Sequence, residues 1–199
     1  MDGVDESKRA TLRRFAAIGA VSPLARLSRD DAGDSDARDA ILGYLSTTPG
    51  AHFSKLRDDL RLGTGEAQHH LRRLERADAV ESFKDGDYRR YFPAGRFSTF
   101  ERRAVGYLRR DTARGMLLAL LRDPDASGKQ LADRLGVSRP TVSKWAGELE
   151  SAGLLSTGDG YALAEPERLL LLVVRYGDSF GADAAAVADE AADLVAYDP

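Results

Sequence analysis

The chain repeats itself. Sliding the sequence by 75 positions brings two stretches into register without a gap. Asp36 falls on Asp111, Ile41 on Met116, Leu42 on Leu117, Leu45 on Leu120 and Pro49 on Pro124. Further along, Leu56 meets Leu131, Asp58 meets Asp133, Leu60 meets Leu135, Leu74 meets Leu149 and Glu75 meets Glu150. Apolar spacing, a proline and a Leu-Glu pair stay aligned together, so the chain contains two copies of one structural unit. Any fold proposed for it must be built twice.

Each copy spells the same series of elements. DARDAILGYLSTTPG and DTARGMLLALLRDPD are amphipathic helices stopped by a proline turn. FSKLRDDL and GKQLADRL are shorter second helices, and TGEAQHHLRRLERADA and SRPTVSKWAGELESAG are third ones. In the last of these Val142, Ala146 and Leu149 line one face with Trp145 at its border, which makes Trp145 a packing residue. A hairpin follows each third helix. VESF and YRRYF flank KDGD in the first copy, and LLS and YALA flank TGDG in the second. Three helices and a hairpin, twice over, define tandem winged helix-turn-helix domains. The expected fold class is mainly α with small β-hairpins (α+β), with added N- and C-terminal helices.

The expected boundaries are an N-terminal helix and polar linker at 1–34 and a first domain at 35–95. A basic connector helix at 96–110, a second domain at 111–164 and C-terminal helices at 165–199 complete the chain. The linker is SRDDAGDSD. Leu12, Phe15, Ala16 and Gly19 share one side of the N-terminal helix. Its paired arginines ahead of a mild apolar stretch faintly suggest an export signal, but Pro23 interrupts that stretch. Pro166 opens an apolar helix, ERLLLLVVRY, which the spacing of Gly177 and Gly181 breaks before ADAAAVADEAADLVAY forms another. An all-round apolar helix has to be covered by a neighbouring helix, a domain core or another subunit.

LGVSRPTVSKWAGELESAGLL resembles the turn, recognition helix and first wing strand of MarR/ArsR-type winged-helix regulators. Together with TPGAHFSKLRDDLRLGTGEAQHHLRRLE and DGDYRRYFPAG, the pattern is similar to archaeal transcriptional regulators with two such domains, especially those of salt-loving archaea. The resemblance covers roughly residues 36–163 and implies sequence-specific binding of double-stranded DNA through the recognition helices.

The residues suit that chemistry. Ser138 is a good N-cap and Pro140 sits where no backbone donor is needed. Arg139, Thr141, Ser143 and Lys144 lie opposite the core stripe, able to meet base edges or phosphates. In the first copy the outward set is Thr64, Glu66, Gln68, His69, Arg72 and Arg73. Gln pairs with adenine and Arg with guanine in two places each. Lys84, Arg89 and Arg90 add wing cations, whereas the second wing carries Asp159 at its tip. Gly147 departs from the family pattern, costs about 1 kcal/mol of helix propensity and leaves a gap in the second reading face. The first copy is therefore expected to supply more of the DNA contact. The same arginines, with Arg76, also suit a plain solvated helix face.

Composition sets limits. The 43% hydrophobic content supports a packed core, and the absence of cysteine excludes disulfides and cysteine metal sites, pointing to a cytoplasmic protein. Leu169 to Val174 is too short an apolar run to span a bilayer. His69 and His70 point in different directions, and His52 is the one other histidine, so no metal is expected. GTGEAQ lacks a phosphate-binding lysine, DGD lacks the rest of a calcium loop and no serine has a nucleophile context, so neither an enzyme nor a cofactor is expected.

Formal net charge is −3, with Asp outnumbering Glu 22 to 10 and Arg outnumbering Lys 24 to 5. Residues 93–122 carry seven Arg against Glu101 and Asp111, a local +5, and residues 165–199 carry two Arg against eight acids, a local −6. An acidic chain favours a rival reading: a tandem winged-helix adaptor that binds protein, of the chromosome-segregation or transcription-complex kind. At about 1 M salt, however, the Debye length is only about 3 Å, so net charge weighs little against DNA binding there. A homodimer through the C-terminal helices is expected, because two-fold regulators match palindromic sites.

Overall fold

The computed structural model describes residues 10–15 and 32–194, with side chains from residue 36 onward in the second span. The chain forms two compact units, divided between Phe97 and Ser98.

The first unit contains α1 (residues 10–15), α2 (Ala32–Thr47), β1 (Ala51–His52), α3 (Phe53–Asp59), α4 (Thr64–Arg76), β2 (Val80–Asp85) and β3 (Tyr88–Pro93). The repeat's apolar positions build its core. Ile41 and Leu45 of α2, Leu56 of α3, Leu60 just beyond it, and Leu71 and Leu74 of α4 are all buried. Each such side chain contributes about 1.5–3 kcal/mol relative to exposure. α1 adds Leu12 to this core and sets Phe15 edge-on to Tyr44, with ring centroids 5.3 Å apart. Ala16 and Gly19, expected on the same side of that helix, lie outside the described residues.

The first linker is shorter than expected: α2 begins at Ala32, so the AGDSD half of SRDDAGDSD is helical. A second difference is β1, for which two residues give no periodic signal. Gly50, at φ 71, reverses the chain and donates its N–H to the Tyr91 carbonyl at 2.8 Å. β1 then pairs with β3, giving an antiparallel sheet in the order β1-β3-β2. The hairpin register couples Val80 with Pro93 and Asp85 with Tyr88. Its two turn residues are Gly86 and Asp87, with Gly86 at φ 59, one place later than an Asp-Gly turn.

The second unit contains α5 (Thr99–Leu108), α6 (Asp111–Arg122), α7 (Gly128–Leu135), α8 (Arg139–Ser151), β4 (Leu155–Ser156), β5 (Ala162–Leu163), α9 (Pro166–Phe180), α10 (Ala182–Asp189) and α11 (Ala191–Leu194). α4 and α8 begin and end 75 residues apart. Met116, Leu117, Leu120, Leu131 and Leu149 are buried, like their first-unit counterparts. The second hairpin is only two residues per strand, pairing Leu155 with Leu163. Both winged helix-turn-helix units are thus present, the sheets separate and unequal.

The apolar helix is covered by its own chain. α9 runs through Gly177 to Phe180 rather than breaking, and buries Leu169, Leu170, Leu172, Val173, Tyr176 and Phe180. The chain reverses at Gly181, and α10 folds back along α9. Gly177 permits that approach: a Cβ there would meet the Ala184 carbonyl oxygen at 3.0 Å. A deletion from Glu165 would therefore remove core, not just an interface. Gly177→Val should destabilise the second unit by about 1–3 kcal/mol in urea unfolding. Gly147→Ala, where a Cβ meets nothing within 4 Å, should instead stabilise it by up to about 1 kcal/mol.

Candidate nucleic-acid interface

α4 presents an exposed face opposite its core stripe. Ala67, His70, Leu71 and Leu74 are buried, while Thr64, Gln68, His69, Arg72, Arg73 and Arg76 are exposed. The adjacent histidines divide as their spacing requires, one out and one in. No group of metal-ligating side chains occurs among the described residues. Glu66 is half-buried and is not a reader: its carboxylate accepts the Gly63 N–H at 3.1 Å and caps the helix. Arg57 of α3 reaches the Thr64 hydroxyl at 3.5 Å.

The three wing cations separate into distinct roles. Lys84 is exposed on β2, with no ion pair among the described residues. Arg89 is also exposed, but bends toward α4. Its Nη2 donates to the Glu75 carboxylate at 2.7 Å and its Nε to the Ser82 hydroxyl at 2.8 Å. Arg90 is 3% exposed, contrary to its expected place on the outer face of the wing. Its Nε donates to the Asp85 carboxylate and its Nη1 to the Gly50 carbonyl at 3.1 Å, beneath the Tyr88 ring. In a strand, successive side chains point to opposite faces, so Arg89 and Arg90 cannot both face outward. Arg90 ties the hairpin to the β1 turn, and its loss would read as a fold defect of about 3–5 kcal/mol.

The second reading face is weaker in charge. Ser138 caps α8, accepting the Thr141 N–H at 3.3 Å, and its hydroxyl lies 2.8 Å from that of the half-buried Thr141. Both hydroxyls are thereby engaged locally. Arg139, Ser143 and Lys144 are exposed, and Lys144 faces Glu148 at 3.8 Å. Trp145 is half-buried, edge-on to Tyr107 with centroids 6.4 Å apart. Glu150 accepts the Thr157 N–H and hydroxyl at 2.9 and 2.7 Å, bonds that hold its carboxyl below the ordinary value. An anion therefore sits at the base of this wing, and Asp159 is exposed at its tip.

Part of the local +5 meets part of the local −6. Arg109 donates to the Ser179 carbonyl at 3.0 Å, Arg114 pairs with Asp183 at 2.8 Å, and Arg122 makes two 2.7 Å bonds to Glu190. Three arginines of the basic stretch thus anchor the C-terminal helices. Sequence spacing missed this because the partners lie about 70 residues apart. The signal was there in the opposite charges of the two segments.

Comparison with known proteins agrees with this geometry. Residues 35–105 match a family model described as an N-terminal HTH domain, and residues 109–156 one described as winged helix-turn-helix DNA-binding. The two stretches are thus helix-turn-helix domains by both structure and sequence family. A Methanocaldococcus jannaschii protein named as an uncharacterized HTH-type transcriptional regulator is 28% identical over 123 residues, which cover 62% of this chain. The match spans 31% of that relative's own length. No solved structure matches significantly.

The Arg122–Glu190 pair is expected to give the C-terminal docking a small acid sensitivity. Hydrogen bonding to Arg122 lowers the Glu190 pKa, and the bond to Glu190 raises that of Arg122. A depressed carboxyl stabilises the fold above its unfolded value of 4.5 and loses that contribution as pH falls through the folded value. Melting followed between pH 7 and pH 3 should show this acid loss in the wild type and a smaller one in Glu190→Gln.

Proposed function

We propose that the chain is a sequence-specific, DNA-binding transcriptional regulator of the MarR/ArsR type, working in the cytoplasm on double-stranded DNA. The observation that carries this reading is the first unit's exposed face. Gln68, His69, Arg72 and Arg73 on α4 offer base-edge donors and acceptors, and Lys84 on the wing offers a cation for phosphate. The first unit supplies more of the contact than the second, where Lys144 faces Glu148 at 3.8 Å and the wing carries Asp159 at its tip. No helix among the described residues is long and apolar enough to cross a membrane.

Selection of bound sequences from a random duplex pool should yield a defined motif. Against it, Gln68→Ala and Arg72→Ala should each weaken binding by about 1–3 kcal/mol and relax the base preference. Lys84→Ala should weaken all duplexes alike and reduce the salt slope by about one. If Arg139→Ala and Lys144→Ala abolish binding while the first-unit variants bind normally, the assignment of units is reversed.

The working form is a homodimer reading a two-fold motif. Leu171 and Val174 of α9 remain 67% and 49% exposed while Leu169, Leu170, Leu172, Val173, Tyr176 and Phe180 are buried, and they offer an apolar contact to a second copy. Leu171→Glu with Val174→Glu should convert the dimer to a monomer by light scattering while the melting profile is kept. The same two residues also support the adaptor reading, in which the covering partner is another protein. A heteromeric complex with no selected DNA motif would favour it.

A further inference from the structure

We propose that the junction of α4 with the first wing is a seat for one DNA phosphodiester, filled in the free protein by the Glu75 carboxylate. The proposal rests on the regulator reading and assigns Glu75 the part of a displaceable internal anion. Arg89 holds Glu75 at 2.7 Å and Ser82 at 2.8 Å, with its guanidinium 5.7 Å from the Tyr91 ring centroid. The Arg89 side chain is 61% exposed and that of Glu75 is 23% exposed, so the pair opens to solvent from the arginine side.

Arg72 stands three residues before Glu75 on α4, which places the two on neighbouring positions of one helix face. Burial raises the pKa of the Tyr91 hydroxyl, with the charges of Arg89, Glu75 and Arg72 as lesser influences. The Arg89 guanidinium, anchored on the Ser82 hydroxyl, thus holds the one carboxylate, with Arg72 at the neighbouring helix position.

A phosphodiester carries the same single negative charge as a carboxylate, and likewise two oxygens for an arginine fork. Exchange needs no new cation: Glu75 swings to solvent and the phosphate takes its bonds. Its cost is the breaking of an exposed ion pair, which is small, so Glu75 tunes affinity without closing the site.

The test is fluorescence anisotropy of the full chain on a labelled duplex across a salt series. Glu75→Gln should bind about two- to fivefold tighter than wild type, the scale of an exposed ion pair. Its log K against log salt should steepen by about one. Asp87→Asn removes an equal charge at the exposed hairpin tip and should tighten binding less. Arg89→Gln should weaken binding, and adding Glu75→Gln to it should gain no more than Asp87→Asn does. The proposal is overturned if Glu75→Gln matches Asp87→Asn, binds more weakly than wild type, or keeps its full gain without Arg89. Wild-type protein that binds no duplex at low salt defeats the regulator reading itself. Normal binding without Glu75–Arg89 coupling defeats the seat alone.

Discussion

An arginine already held by a carboxylate is not a cation that DNA can use freely, and this constraint decides which surfaces of the chain can bind it. Arginines are numerous here, yet many are committed inside the units. Arg90 is locked under the first wing, and Arg114 and Arg122 hold the two ends of α10 against α6. Arg134 is bonded to Asp123 at 2.6 Å. Each of these is matched by an acidic residue or a carbonyl of its own unit. Net charge is then a poor guide to function, because opposite charges far apart in sequence cancel within one unit.

What remains exposed is asymmetric between the copies. The repeat duplicates the core almost residue for residue, since Leu, Ile and Met at those positions face the same packing demands. It does not duplicate the surface. Gln68, His69, Arg72 and Arg73 are matched on α8 by Ser143, Lys144, Gly147 and Glu148, 75 residues later. The first hairpin has six-residue strands and a third strand to brace it, whereas the second has two-residue strands. The two units share a fold, but the first exposes more amide and cationic side chains and carries the longer wing.

Much of this was legible in the sequence. Helical spacing placed the core positions Val142, Ala146 and Leu149 of α8, the repeat placed Leu74 of α4, and the Ser138-Arg139-Pro140 start of α8 was readable as a cap. Three features were not. β1 is two residues long and exists because β3 accepts it, which no local pattern signals. Gly177 looks like a breaker but lies inside a helix, where its missing side chain makes room for α10. Arg89 and Arg90 looked equivalent as neighbours, and only the strand's alternation and the Asp85 partner assign one to solvent and the other to the core.

The most direct measurement is amide chemical-shift mapping of the full chain during titration with a duplex carrying its selected motif. The account places the largest shifts at residues 64–76 of α4 and 82–91 of the first wing, with smaller ones along 139–151. Shifts concentrated on α8 and the second hairpin, or none on α4, would contradict it.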